Sequence, residues 1–163
     1  MRVATKEDIP YICKLWKESM ETKKFTLYQD NLDEEACMHW FLPREEVLYV
    51  YVLVDDQDRP TDFMSFYSIP SSVLNDKVNP IINVAYLFYY AVKDDTKLSL
   101  FMKSILIEAK SLNFDVFNCL DVADNGTFLK DLKFGSGDGR LRFYLYNWRT
   151  KPIPPNQVSF VML

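Results

Sequence analysis

A chain of 163 residues with 48% apolar and 15% aromatic side chains and only four glycines has the material for one globular domain with a buried core, and lies far from the disordered class. A formal net charge of −4 argues against nonspecific binding to nucleic acid or to an anionic membrane, which need clustered lysine and arginine, and makes a cationic peptide the more natural partner. Cys13, Cys37 and Cys119 are widely spaced with no C-x-x-C pair, and His39 is the only histidine, so a Cys/His zinc site is excluded and buried reduced thiols in a soluble, cytoplasmic protein are expected. The opening residues lack an apolar signal core, and no run reaches transmembrane length.

In chain order, residues 2–5 can form a short strand. Thr5 and Asp8 then give capping signals for a first amphipathic helix, whose inner face is Ile9, Ile12, Cys13, Trp16 and Met20. The polar stretch 21–30 breaks the pattern. Asn31 with Glu34 resembles a capping box for a second helix with Ala36, Cys37, Trp40 and Phe41 on one face, stopped by Pro43. His39 lies off the centre of that face and is given no role.

From Val47 the period becomes that of a strand. Runs over 47–54 and 62–69, separated by the turn 55–60, predict a hairpin. After a loop over 71–80, the nearly continuous apolar run 83–92 predicts a strand covered on both faces, hence the centre of the sheet. Asp94, Asp95 or Thr96 can cap the next helix, in which Leu98, Phe101, Met102, Ile105, Ala109 and Leu112 recur at helical spacing. A strand over 114–120 and a short helix over 125–132 follow.

Three of the four glycines, Gly135, Gly137 and Gly139, then flank Ser136 and Asp138. Glycine permits positive φ and close backbone approach, so this loop reads as one against which a ligand could lie. Leu141, Phe143 and Leu145 alternate with Arg142, Tyr144 and Tyr146, which predicts a strand with two unlike faces. Residues 151–155 form an extended connector, and the apolar run 158–163 predicts a final strand that fixes the chain end. The fold class expected is mixed α/β (α+β), a mostly antiparallel sheet flanked by helices, as a single domain over 1–163.

That order of elements, with the opening phrase Arg2-Val3-Ala4-Thr5-Lys6-Glu7-Asp8-Ile9, resembles the GNAT (Gcn5-related acyltransferase) fold. An autonomous member is expected to carry a glycine-containing loop before the long helix, where backbone N–H groups hold the CoA pyrophosphate. Here the stretch 92–98 has no glycine and carries Asp94 and Asp95, which repel phosphate. This half is therefore expected to hold no acyl-CoA of its own.

Several phrases, Thr61-Asp62-Phe63-Met64-Ser65-Phe66-Tyr67 with Pro70-Ser71-Ser72, Ala85-Tyr86-Leu87-Phe88-Tyr89, Phe114-Asp115-Val116-Phe117-Asn118, and Thr127-Phe128-Leu129 with Lys133 to Gly139, match one family in order and spacing. They resemble the C-terminal half of eukaryotic N-myristoyltransferase, with a departure over 122–126. The resemblance implies two tandem GNAT-like halves. The N-terminal half would bring myristoyl-CoA, the co-substrate, and the oxyanion-hole amides, whereas this half would bring the groove for Gly-initiated peptides and the catalytic base, with no metal.

Amide formation requires the substrate's N-terminal ammonium to lose a proton, so a positioned base is needed. The resemblance assigns that role to the α-carboxylate of Leu163. It places Asp138 against a basic residue of the peptide, with Gly137, Gly139 and Leu141 beside the peptide backbone, and it sets Tyr86, Ser71 and Asn118 along the groove. On residue type alone, Asp138 also reads as a loop cap, Tyr86 as core and Asn118 as a local hydrogen-bonding device. Two other functions stay open: a GNAT-shaped peptide-binding module without transferase activity, and a divergent acetyltransferase, which the stretch 92–98 disfavours.

Overall fold

The computed structural model describes residues 1–30, 32–72 and 81–161. β1 (Arg2–Val3) precedes α1 (Ile9–Lys23), β2 (Leu27–Tyr28), α2 (Glu34–Phe41) and the hairpin strands β3 (Leu48–Val54) and β4 (Pro60–Ser68). β5 (Ser71–Ser72) pairs with β6 (Ile81–Ile82), then β7 (Val84–Ala91) leads through α3 (Asp95–Ser111) to β8 (Val116–Asn118), α4 (Gly126–Leu129) and β9 (Val158–Ser159).

Short polar side chains set the ends of these elements. The buried Asp8 carboxylate accepts from the Thr5 amide (2.8 Å) and from two nitrogens of Arg2 (2.6 and 3.0 Å), which ties β1 to the start of α1. Lys24 stops α1 in the left-handed region (φ 51). α2 is capped by Asp33, whose carboxylate accepts from the Ala36 amide at 2.8 Å. The cap expected at Asn31 falls on a residue outside the described set. In the β3–β4 turn the Asp55 carboxylate accepts from the amides of Gln57 and Arg59 (2.9 and 3.0 Å). Asp94 caps α3 through the Thr96 amide (3.0 Å).

The main sheet runs β1-β3-β4-β7-β8, antiparallel except for β7–β8, which α3 connects as a parallel crossover. This is the mixed, mostly antiparallel, helix-flanked sheet expected. The run 83–92 is interior, but the middle strand is β4, where Asp62 to Phe66 are all buried. α1 and α2 cover one face, with Ile12, Trp16, Phe41, Phe63, Phe88 and Tyr89 in its core. α3 and α4 cover the other, around Met64, Phe66, Leu87, Phe101, Ile105 and Phe128.

The β4–β7 register shifts between Met64 and Phe66, with Met64 opposite Tyr90 and Phe66 opposite Leu87. Phe88 and Tyr89 therefore face Ser65 alone, a bulge on β7, and both enter the same core. The Ser65 hydroxyl donates to the Tyr89 carbonyl at 2.6 Å and closes the bulge.

Three expectations are corrected. The alternating stretch 141–146 forms no strand: it is exposed throughout, with Tyr146 99% accessible. A strand needs a hydrogen-bonding neighbour, and no described residue supplies one. Of the described part of the terminal run, 158–161, only Val158–Ser159 pairs, in parallel with β2. Cys13 and Cys37 form a disulfide between α1 and α2, with Cα atoms 5.7 Å apart, because the packing of those two helices brings together thiols 24 residues apart in sequence. Cys119 is the free cysteine.

Candidate functional site

The sheet brings part of the candidate set into one row. Tyr67 of β4 is opposite Tyr86 of β7, and Tyr86 is opposite Asn118 of β8. Residues in register share a sheet face, and here that face is the one covered by α1 and α2. The rings of Tyr67 and Tyr86 stack, with centroids 5.3 Å apart and an interplanar angle of 14°. Phe88 meets Tyr67 edge-on at 5.5 Å, and Trp40 of α2 lies 5.9 Å from Phe88. Burial, with Tyr86 beside it, raises the Tyr67 phenol above its ordinary pKa, so it is neutral at physiological pH. An aromatic wall ending in the Asn118 amide can stack on a peptide and hydrogen-bond to it.

Ser71 opens β5, opposite Ile82, just beyond the end of β4; its hydroxyl donates to the Ile69 carbonyl at 3.4 Å and is partly exposed. It lies along the same pair of chain segments as Tyr86, several residues further on.

Gly137, Asp138, Gly139 and Leu141 lie in the exposed stretch that follows Phe134. No glycine there adopts positive φ, and a Cβ on any of them would meet open space. Neither the positive φ nor the close approach expected of these glycines occurs among the described residues. The Asp138 carboxylate makes no hydrogen bond or ion pair with the described residues. Before this stretch, Phe134 is anchored against Phe117 and Phe128 (6.4 and 6.0 Å); after it, Phe143 packs on Phe160 (5.8 Å). Leu163 lies outside the described residues.

The segment leading to Leu163 is well held. The Val158 carbonyl accepts from the Ala123 amide (2.8 Å) and the Gln157 carbonyl from the Thr26 amide (2.9 Å). Val158, Ser159 and Val161 are buried, and Val161 belongs to the same core as Phe88 and Tyr89. Val161, the last described residue, and the aromatic row therefore share one face of the sheet. A depression of about 370 Å³, open solvent included, adjoins them, lined among others by Trp16, Met20, Lys23, Tyr89, Asn125 and Val161.

The sequence marks Tyr89 only as one of a set of core aromatics, some of which could line the groove, and it does not single out Tyr67 or Lys23. Tyr67 was discoverable as the strand partner of Tyr86, whereas Tyr89 faces this side only because of the bulge. Burial pushes the Tyr89 phenol up to about 12, with the Val161 backbone pulling the other way, and its hydroxyl makes no full hydrogen bond with the described residues.

Two other chemistries find no support here. Burial pushes the Cys119 thiol up to about 12, helped by Asp121, so it is a poor nucleophile. Among the described residues no group of His, Cys, Asp and Glu side chains is arranged to hold a metal ion. At the start of α3, Asp94 and Asp95 place carboxylates where the amides of a helix N-terminus would hold a phosphate.

Residues 1–160 match the model of the family described as Myristoyl-CoA:protein N-myristoyltransferase, C-terminal domain. The chain is 44% identical over 131 residues to glycylpeptide N-tetradecanoyltransferase 2 of Danio rerio, covering 80% of this chain and 26% of that protein. It is 39% identical over 163 residues to the glycylpeptide N-tetradecanoyltransferase of Plasmodium falciparum, covering all of this chain and 38% of that one. The crystal structure of Saccharomyces cerevisiae N-myristoyltransferase with bound myristoyl-CoA superposes with a TM-score of 0.88 at 35% identity, over 99% of this chain and 46% of the yeast chain. A predicted acetyltransferase of Clostridium acetobutylicum, at 15% identity and a TM-score of 0.66, shares the fold, which is GNAT-like. The chain spans less than half the length of these N-myristoyltransferase relatives.

Proposed function

Because the chain belongs to the family of N-myristoyltransferase C-terminal domains, we propose that it is the peptide-holding part of an acyltransferase that moves a myristoyl group from myristoyl-CoA to the N-terminal glycine of protein substrates. In this reading the peptide runs along Tyr67, Tyr86 and Asn118, with Ser71 at one end. Gly137, Asp138, Gly139 and Leu141 form the opposing wall, and Asp138 attracts a basic side chain of the peptide. The observation that carries the reading is the common sheet face shared by the aromatic row and the buried approach to the chain end.

The α-carboxylate of Leu163 acts as the base. It is ionised at neutral pH, since its ordinary pKa is about 3.3–3.7. It first orients the substrate ammonium by charge and then takes a proton from it, a transfer favoured when closure of the site excludes water. The free amine attacks the thioester carbonyl carbon. A C–N bond forms, the C–S bond breaks, and CoA leaves as its thiol after taking up a proton.

The partner is the additional polypeptide that the relatives carry outside the matched span. It brings the acyl-CoA and covers the stretch 141–146, where exposed Leu141, Phe143 and Leu145 alternate with Arg142, Tyr144 and Tyr146 and have the pattern of a strand awaiting a neighbour.

The test removes Leu163, or extends the chain beyond it by a few residues, in the complete protein that carries this chain. Incorporation of myristate into a Gly-initiated peptide is expected to be lost with myristoyl-CoA binding retained. An unchanged kcat overturns the assignment of the base.

A further inference from the structure

We infer that Lys23 is a positioning residue of the reaction proposed above, and that it acts by locking together the two segments that hold the terminal strand β9. The inference rests on that reading for its catalytic consequence; the lock itself rests on geometry.

β9 is gripped from two sides. On one side is the β2 segment, which pairs with it in parallel and whose Thr26 amide donates to the Gln157 carbonyl. On the other is the turn 121–125, whose Ala123 amide donates to the carbonyls of Val158 (2.8 Å) and Pro155 (3.2 Å). β2 follows directly from α1, and Lys23 is the last residue of that helix. Its side chain is 17% exposed, and its ammonium forms ion pairs with Asp124 in the turn and with Asp95 at the start of α3 (2.7 Å). Lys23 thus joins the residue next to Ala123 to the helix end that launches β2, and its neighbour across the contact, Ala123, is the group that bonds β9.

The turn is built to receive this tie. Asn125, buried to 3% exposure, accepts from the Tyr90 hydroxyl (2.8 Å) and donates to the Leu120 carbonyl (2.8 Å), while the Thr127 hydroxyl donates to the Asp124 carbonyl (2.7 Å). With Asn125 fixed to β7 through Tyr90, Asp124 has little freedom, and Lys23 sets the distance between the turn and β2. Burial works against the Lys23 charge, but the two aspartates more than offset it, so the amine stays protonated. Loss of the charge leaves Asp124 half-buried without its cation and releases one side of the grip. A terminal carboxylate that must meet a substrate amine within hydrogen-bond reach is sensitive to such a release.

The experiment compares Lys23→Met, which keeps length and loses charge, with Lys23→Arg in the complete protein. Hydrogen exchange of the Thr26 and Ala123 amides, which donate to the terminal segment, is expected to accelerate about tenfold in Lys23→Met. The Phe66 amide of β4 should not change. The peptide kcat should fall about tenfold with peptide KM within about twofold, and Lys23→Arg should restore both readouts. Asp124→Asn should reproduce the Lys23→Met pattern. Unchanged exchange at Thr26 and Ala123 overturns the lock, as does acceleration that extends to Phe66. If exchange accelerates and kcat holds while Leu163 deletion abolishes turnover, Lys23 has no part in positioning. If Leu163 deletion also leaves kcat intact, the terminal-base reading fails, whatever the exchange shows.

Discussion

Asp138→Asn in the complete protein isolates the electrostatic part of peptide recognition from the fold. The carboxylate is exposed and makes no bond to the described residues, so its neutralisation should leave the melting temperature within about 1 °C. The expected effect on binding follows from the same exposure. Two unit charges about 4 Å apart attract weakly in a water-like medium and about fourfold more strongly at a partly desolvated surface. An open loop that a peptide only partly covers lies near the weaker limit, which corresponds to about a fivefold rise in KM. That rise belongs only to peptides carrying a lysine or arginine downstream of the glycine. Steady-state kinetics on two peptides that differ by one lysine-to-norleucine replacement provide the assay. The ratio of their KM values should be about five in the parent protein at low salt, near one in Asp138→Asn, and should shrink as ionic strength rises through about 0.15 M, where the screening length is about 8 Å. Equal losses for the charged and neutral peptides would refute the pairing and leave Asp138 a structural residue of the loop.

Two further predictions concern the frame. Arg2 bonding, then the Thr5 amide and hydroxyl, hold the Asp8 carboxyl below its ordinary pKa against the opposing effect of burial. The stability this contributes is present above the unfolded-state value near 4 and is lost as pH falls through the lower folded value. Melting temperature should therefore drop more steeply from about pH 5 to pH 3 in the parent than in Asp8→Asn, which at neutral pH should already be less stable by about 2 kcal/mol; parallel curves would refute the linkage. Reducing the Cys13–Cys37 bridge releases a loop closed by a separation of 24 residues and should lower unfolding free energy in urea by about 3 kcal/mol, with no change in Cys13→Ser on adding reductant.

Most of the frame was legible because its patterns are local. The faces of α1 and α3, the β3–β4 hairpin and the Asp94 cap each follow from residues within one or two turns of each other. What was not legible depends on approach in space. The Cys13–Cys37 bridge depends on how α1 and α2 pack, and three cysteines give no connectivity. The bulge that turns Tyr89 into the core beneath α1 and α2 is a register event between β4 and β7, invisible in either strand alone. The stretch 141–146 shows the opposite case: its alternation is clear, and it forms no ladder because a strand is completed by a neighbour that these residues do not supply. Of the candidate site, the row Tyr86–Asn118 is assembled by the sheet, whereas Asp138 and its glycines meet no described residue.

The parallel pairing of β2 with β9 also bears on how the molecule is made. Thr26 and Gln157, which bond across this junction, are 131 residues apart, so closing it carries a far larger entropic cost than any hairpin in the sheet. Such a contact closes only after the local pairings of the sheet are in place. During synthesis β9 is still inside the ribosome when β2, α1 and the five-stranded sheet have already emerged. The five-stranded sheet can therefore form before β9 reaches its place between β2 and the turn 121–125.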